Sequence, residues 1–98
     1  MRTYVRSRHF GVRLGPVADG DAFRDRLAAA IRAHDILRVK GFVAMPGRDR
    51  RQIVQAVGDR VQQYFDRPWE PDEPRATRLV VIGKQGLDRA AITAALGG

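Results

Sequence analysis

Hydrophobic and polar positions alternate along residues 36–45, Ile-Leu-Arg-Val-Lys-Gly-Phe-Val-Ala-Met, as they do in an extended strand. Leu37, Val39, Val43 and Met45 fall on one face of that strand, while Arg38, Lys40 and Phe42 fall on the other. Gly41 in mid-run marks a bulge or a place where another backbone comes close. Arg38 and Lys40, about 7 Å apart at two residues' rise, need a face that is solvated, paired or turned to a partner.

The same pattern places the other elements. Residues 8–14 alternate, with Phe10, Val12 and Leu14 on one side and His9, Gly11 and Arg13 on the other, which predicts a half-buried strand. Gly15-Pro16 ends it, and Asp19-Gly20-Asp21 supplies turn chemistry and a helix N-cap. Phe23, Leu27, Ala30 and Ile31 then recur at helical spacing over residues 22–34, with Arg24, Asp25 and Arg32 pointing away. After Pro46-Gly47 and a basic turn over 48–51, residues 52–57 and 60–65 form a hairpin around Gly58-Asp59. Gln52, Gln55, Gln62 and Gln63 interrupt both of its faces, so one side is wet.

Residues 67–75 carry Pro68, Pro71 and Pro74, which break regular structure, and Trp69, which pins the loop to the body. The run over 78–83, Arg-Leu-Val-Val-Ile-Gly, has the unbroken apolar character of a central strand, so residues 79–82 are expected in the core. Asp88 caps a last helix over 89–96, Leu87 is placed to staple onto Ile92, and Gly97 stops it.

This order predicts an α+β two-layer sandwich, strand-helix-strand-hairpin-strand-helix, with a mostly antiparallel sheet of four to five strands and two helices on one face. Phe10, Val12, Leu14, Leu37, Val39 and Val43 share the core with the Phe23, Leu27 and Ile31 stripe. His9, Arg13, Arg38 and Lys40 are left on the opposite sheet face. Residues 1–7 are expected to be a tail or linker remnant, and residues 8–98 the domain.

Composition adds less than pattern. A chain of 98 residues with 44% apolar content suits one globular domain. The absence of cysteine excludes disulfides, thiolate metal sites and cysteine nucleophiles, and agrees with a cytoplasmic setting. No apolar run approaches a membrane span, and residues 1–6 lead into no signal-peptide core, so no membrane partner is expected. The net charge of +7 permits nucleic-acid or acidic partners, but the sixteen arginines are scattered, which equally fits a solvated surface.

Catalytic signatures are missing. Neither phosphate-cradling glycine motif occurs, and His9 and His34 lack a third histidine or a cysteine to complete a metal site. Ser7, the only serine, has no nucleophile signature beside it, and the carboxylates Glu70, Asp72 and Glu73 lie in a solvated loop. No catalytic, cofactor or metal residue is therefore assigned. A single-stranded RNA-binding module is the alternative, with Phe42 and Tyr64 beside Arg38 and Lys40, although aromatics total only 7%.

Four blocks go further. Residues 36–43, residues 54–58, the run Tyr64-Phe65-Asp66-Arg67-Pro68-Trp69 and residues 77–83 resemble, in order and spacing, the C-terminal domain of the CobW-like P-loop GTPases. The resemblance covers residues 8–96 and points to the cobalamin-biosynthesis branch of that family of metal chaperones or metal-insertion factors. It implies an accessory, non-catalytic domain in cobalt delivery or insertion, working with a CobW-like GTPase domain and its client, the cobaltochelatase. GTP and a divalent metal such as cobalt or zinc are implied only for the GTPase domain, whose P-loop and Cys-x-Cys-Cys motif this chain lacks. The expected docking residues are His9, Arg13, Arg38, Lys40, Phe42 and Trp69, with self-association through the same face as a further expectation.

Overall fold

In the computed structural model, which describes residues 7–84 and 86–97, the chain runs β1 (Ser7–Leu14), α1 (Gly20–His34), β2 (Ile36–Val43), β3 (Arg50–Val57), β4 (Arg60–Pro68), β5 (Thr77–Lys84) and α2 (Arg89–Ala95). The five strands form one antiparallel sheet of order β1-β5-β2-β3-β4. This is the expected α+β sandwich. Of the tail expected over residues 1–7, residues 1–6 lie outside the described residues and Ser7 opens β1.

Asp19 starts α1 two residues earlier than the pattern suggests, because its carboxylate accepts the backbone N–H groups of Asp21 and Ala22 at 3.0 and 3.1 Å. Asp35 ends the helix in the left-handed region, φ 53°, and its N–H returns to the carbonyl of Ile31. Between these caps Phe23, Leu27, Ala30 and Ile31 are buried against the sheet, as predicted. A fully buried side chain of the Phe or Leu class contributes about 1.5–3 kcal/mol. Ile92 and Leu96 from α2 join the same core, which receives Val12, Leu79, Val81, Val39, Val43, Val54, Ala56 and Val61 from the five strands.

Three predicted core positions are corrected. A bulge between Ile36 and Arg38 puts an extra residue in β2, so Ile36 takes the core place opposite Gly83 and Leu37 is 43% exposed. Of residues 79–82 only Leu79 and Val81 are buried, at 1% and 0% exposure, while Val80 is 43% exposed and Ile82 lies half-buried on the opposite face. The run looks like a fully buried strand because valine and isoleucine occupy both faces, yet the helices cover only one of them.

The hairpin is longer than its alternation implied. β4 runs on to Pro68, which is tolerated because β4 is an edge strand whose outer side needs no N–H. Gly58 turns the hairpin with φ 55°. Gln52 is buried on the helix side, whereas Gln55 and Gln62 pair across β3 and β4 on the opposite side. Gln63 reaches α1 and donates to the carbonyl of Gly20 at 3.1 Å.

Candidate functional site

Strand register assembles the uncovered sheet face into three rows. The first reads Arg13, Arg78, Phe42, Ile53, Tyr64 across β1, β5, β2, β3 and β4. The second reads Gly11, Val80, Lys40, Gln55, Gln62, and the third reads His9, Ile82, Arg38, Val57, Arg60. These rows hold five full cations, a histidine, several apolar side chains and no acid. Arg13, Arg38, Lys40, Arg60 and Arg78 are exposed and, among the described residues, make no ion pair. The next acid along β4, Asp66, is held by Arg51 at 2.8 Å, and that bond pulls its pKa below the ordinary carboxylate value.

One end of the face is finished by the loop after β4. Trp69 is 6% exposed, and its ring meets Phe42 edge-on with centroids 5.8 Å apart. The Arg51 guanidinium lies 4.9 Å from the Phe42 ring centre, so Phe42 is roofed and half-buried. The loop is tied down by the backbone N–H of Trp69 donating to the Asp49 carbonyl at 2.8 Å. It is also held by a bidentate Arg67–Glu73 pair, both contacts 2.8 Å. Glu73 further accepts the Glu70 N–H at 3.0 Å. Glu73 is thus a structural clasp and not the solvated carboxylate expected from sequence. The Arg67 guanidinium, followed by the Glu70 N–H, draws its pKa from 4.5 down to about 2.

The expected docking residues fall into two groups. His9, Arg13, Arg38 and Lys40 come together on the uncovered face, with Phe42 among them. Trp69 offers little surface of its own and meets the Phe42 ring edge-on. Arg60, Arg78 and Gly11 belong to the same face and were not singled out by sequence. Arg78 opens an apolar run that reads as core, and its partnership with Arg13 depends on a register between strands some 65 residues apart.

Among the described residues, no group of three or more His, Cys, Asp or Glu side chains could hold a metal ion. No described helix is long and apolar enough to cross a membrane.

Two helices on one side of a five-stranded antiparallel sheet, with the other side basic and uncovered, define a two-layer α+β domain with a bare sheet face. The chain belongs to the CobW C-terminal domain family: residues 7–98 match the family described as "Cobalamin synthesis protein cobW C-terminal domain". It is 53% identical over 87 residues to a protein named Zinc chaperone CobW from Sinorhizobium sp, covering 89% of this chain and 25% of that relative. A protein of the same name from Pseudomonas aeruginosa is 51% identical over 77 residues, covering 79% of this chain and 20% of the relative. The chain therefore spans a quarter or less of the length of these curated relatives.

Among solved structures, the Zn(II)-bound YjiA GTPase from E. coli superposes with a TM-score of 0.72 at 29% identity, over 94% of this chain and 29% of the GTPase. A Zn(II)-bound triple mutant of the same GTPase gives 0.74, with the same identity and coverage.

Proposed function

We propose that this chain is the non-catalytic accessory domain of a cytoplasmic CobW-type metallochaperone and docks through its uncovered sheet face on the GTPase domain. The observation that carries the reading is the face itself: three cross-strand rows with five cations that make no ion pair among the described residues, and exposed apolar groups, on a domain whose helices cover only the other side. A desolvating partner with acidic groups supplies the counter-charge that the free domain lacks. A second copy would bring like charge against like charge, which disfavours self-association through this face.

Zinc is favoured over cobalt as the handled metal by the names of the relatives at 53% and 51% identity. The family description names cobalamin synthesis, and on this reading that is the process, with the cobaltochelatase as the client. GTP and the metal belong, on this reading, to the GTPase domain.

The RNA alternative is weakened because the Arg51 guanidinium already lies over the Phe42 ring and Trp69 meets it edge-on. That leaves Tyr64 as the exposed aromatic of the face, and its hydroxyl already accepts from Gln55 at 3.3 Å.

Calorimetric titration of the chain with a CobW-type GTPase domain tests the reading. The double variant Arg38→Glu, Lys40→Glu should weaken association by about 2 kcal/mol or more while leaving the thermal unfolding curve in place. Full-strength association by that variant, or none by the native chain, would refute the docking role.

A further inference from the structure

A cleft of about 700 Å³ brings side chains of the uncovered face together with Arg89 and Thr93 of α2. Arg13, Lys40 and Arg78 border it, and Phe42 and Val80 give it an apolar lining. Arg89 from α2 also lines it, with its guanidinium donating to the Gly11 carbonyl at 3.2 Å.

Gly11 makes room for this cleft. Its backbone is not in the positive-φ region, so no turn or strain requires glycine there. A Cβ added at Gly11 would meet nothing closer than the Leu79 carbonyl at 4.0 Å, so packing does not require it either. A side chain there would project between those of His9 and Arg13 and enter the cleft.

The charges point to the occupant. Arg13 and Arg78 lie directly opposite each other in the β1–β5 register, which sets Cβ atoms about 4.5–5.5 Å apart. Like charges so placed destabilise a sheet, and no described acid sits between them. Two guanidinium forks side by side match the geometry of a carboxylate, and Lys40 offers a further charge one row away. A bare oxyanion would leave the Phe42 and Val80 lining wet, and a nucleobase finds the Phe42 ring already roofed.

We propose that this cleft binds an acidic peptide segment of a protein partner, with carboxylates on Arg13, Arg78 and Lys40 and an apolar side chain over Val80, beside Phe42. The proposal rests on the docking reading only for the partner's being a protein, and names the chemistry of the element that docks.

The probe is the blocked peptide Asp-Glu-Leu-Asp-Glu, titrated into the isotopically labelled full chain and followed by amide NMR. Lys-Lys-Leu-Lys-Lys and a short oligouridine serve as comparisons. The acidic peptide should shift the amides of Gly11, Arg13, Arg78 and Val80. Gly11→Leu, which fills the cleft without altering charge, should raise the Kd about tenfold or more, as should Arg13→Glu on the edge strand. Arg32→Glu on α1 should leave it unchanged. Two different variants keep the test decisive if one fails to fold.

Shifts confined to other surfaces, equal affinity in Gly11→Leu and Arg13→Glu, or equal binding of oligouridine would overturn the proposal. So would an absence of peptide binding, even if the GTPase region still associates, and then the docking reading alone survives. Peptide binding without GTPase association leaves the cleft assignment standing and removes the GTPase as its partner.

Discussion

Gly41 sits where β2 crowds β5. A Cβ there would run into the carbonyl oxygen of Arg78 and lie 2.8 Å from the Cα of Leu79, and neither backbone atom can move without distorting the sheet. Gly41→Ala should therefore cost about 1–3 kcal/mol, seen as a lower denaturant midpoint. Gly83→Ala, which meets only the rotatable side chain of Leu87, should cost less. The mid-strand glycine was legible in the sequence as a close approach. Leu37 was not, because a bulge leaves the alternation intact and changes only which residue is surplus. Arg78 carries the opposite kind of cost. Replacing it with glutamine removes the like-charge pair with Arg13 and should stabilise the free chain by about 0.2–1 kcal/mol, measured by chemical denaturation. A destabilised Arg78→Gln chain would show that the two guanidiniums are already compensated.

At the scale of elements, caps and turns were the most readable part of the chain. Asp19, Asp88 and Gly58 act locally, and each stands where its chemistry predicts. The loop from β4 to β5 was less so. Its prolines and tryptophan announced an anchored loop, but the Arg67–Glu73 clasp and the Arg51–Asp66 pair link positions six and fifteen residues apart with no local signature. This clasp sets a pH dependence. Glu73 has a folded pKa of about 2, lowered from 4.5. Its stabilising contribution is therefore fully present above 4.5 and is lost as pH falls through about 2. Asp66, also lowered, adds in the same direction. Fluorescence of Trp69, the only tryptophan, should be steady from neutrality to the ordinary carboxylate range and change below it. Glu73→Gln should reduce that acid transition and loosen the loop at neutral pH. An acid transition of undiminished size in Glu73→Gln would assign it to other carboxylates.

The whole molecule divides its labour between two sheet faces. One holds both helices and the core, and the other holds five cations that make no ion pair among the described residues, in a chain with net charge +7. Scattered arginines gave no sign in the sequence that they would converge, since Arg13, Arg38, Arg60 and Arg78 come from four different strands and meet only through register. Alternation within single strands did place His9, Arg13, Arg38 and Lys40 off the core side, and that partial view was enough to locate the face. The fold was legible because hydrophobic period and turn chemistry are local. The cleft was not, because it is made by strands that the chain order keeps apart.

The central claim is that the uncovered face meets the GTPase domain. The most direct measurement is an amide NMR footprint of the labelled chain bound to a CobW-type GTPase domain. The account predicts perturbed amides along β1, β5 and β2, centred on Arg13, Arg78, Lys40 and Arg38, with the outer surface of α1 unchanged. A footprint on α1 and α2, with those strand amides undisturbed, would contradict it.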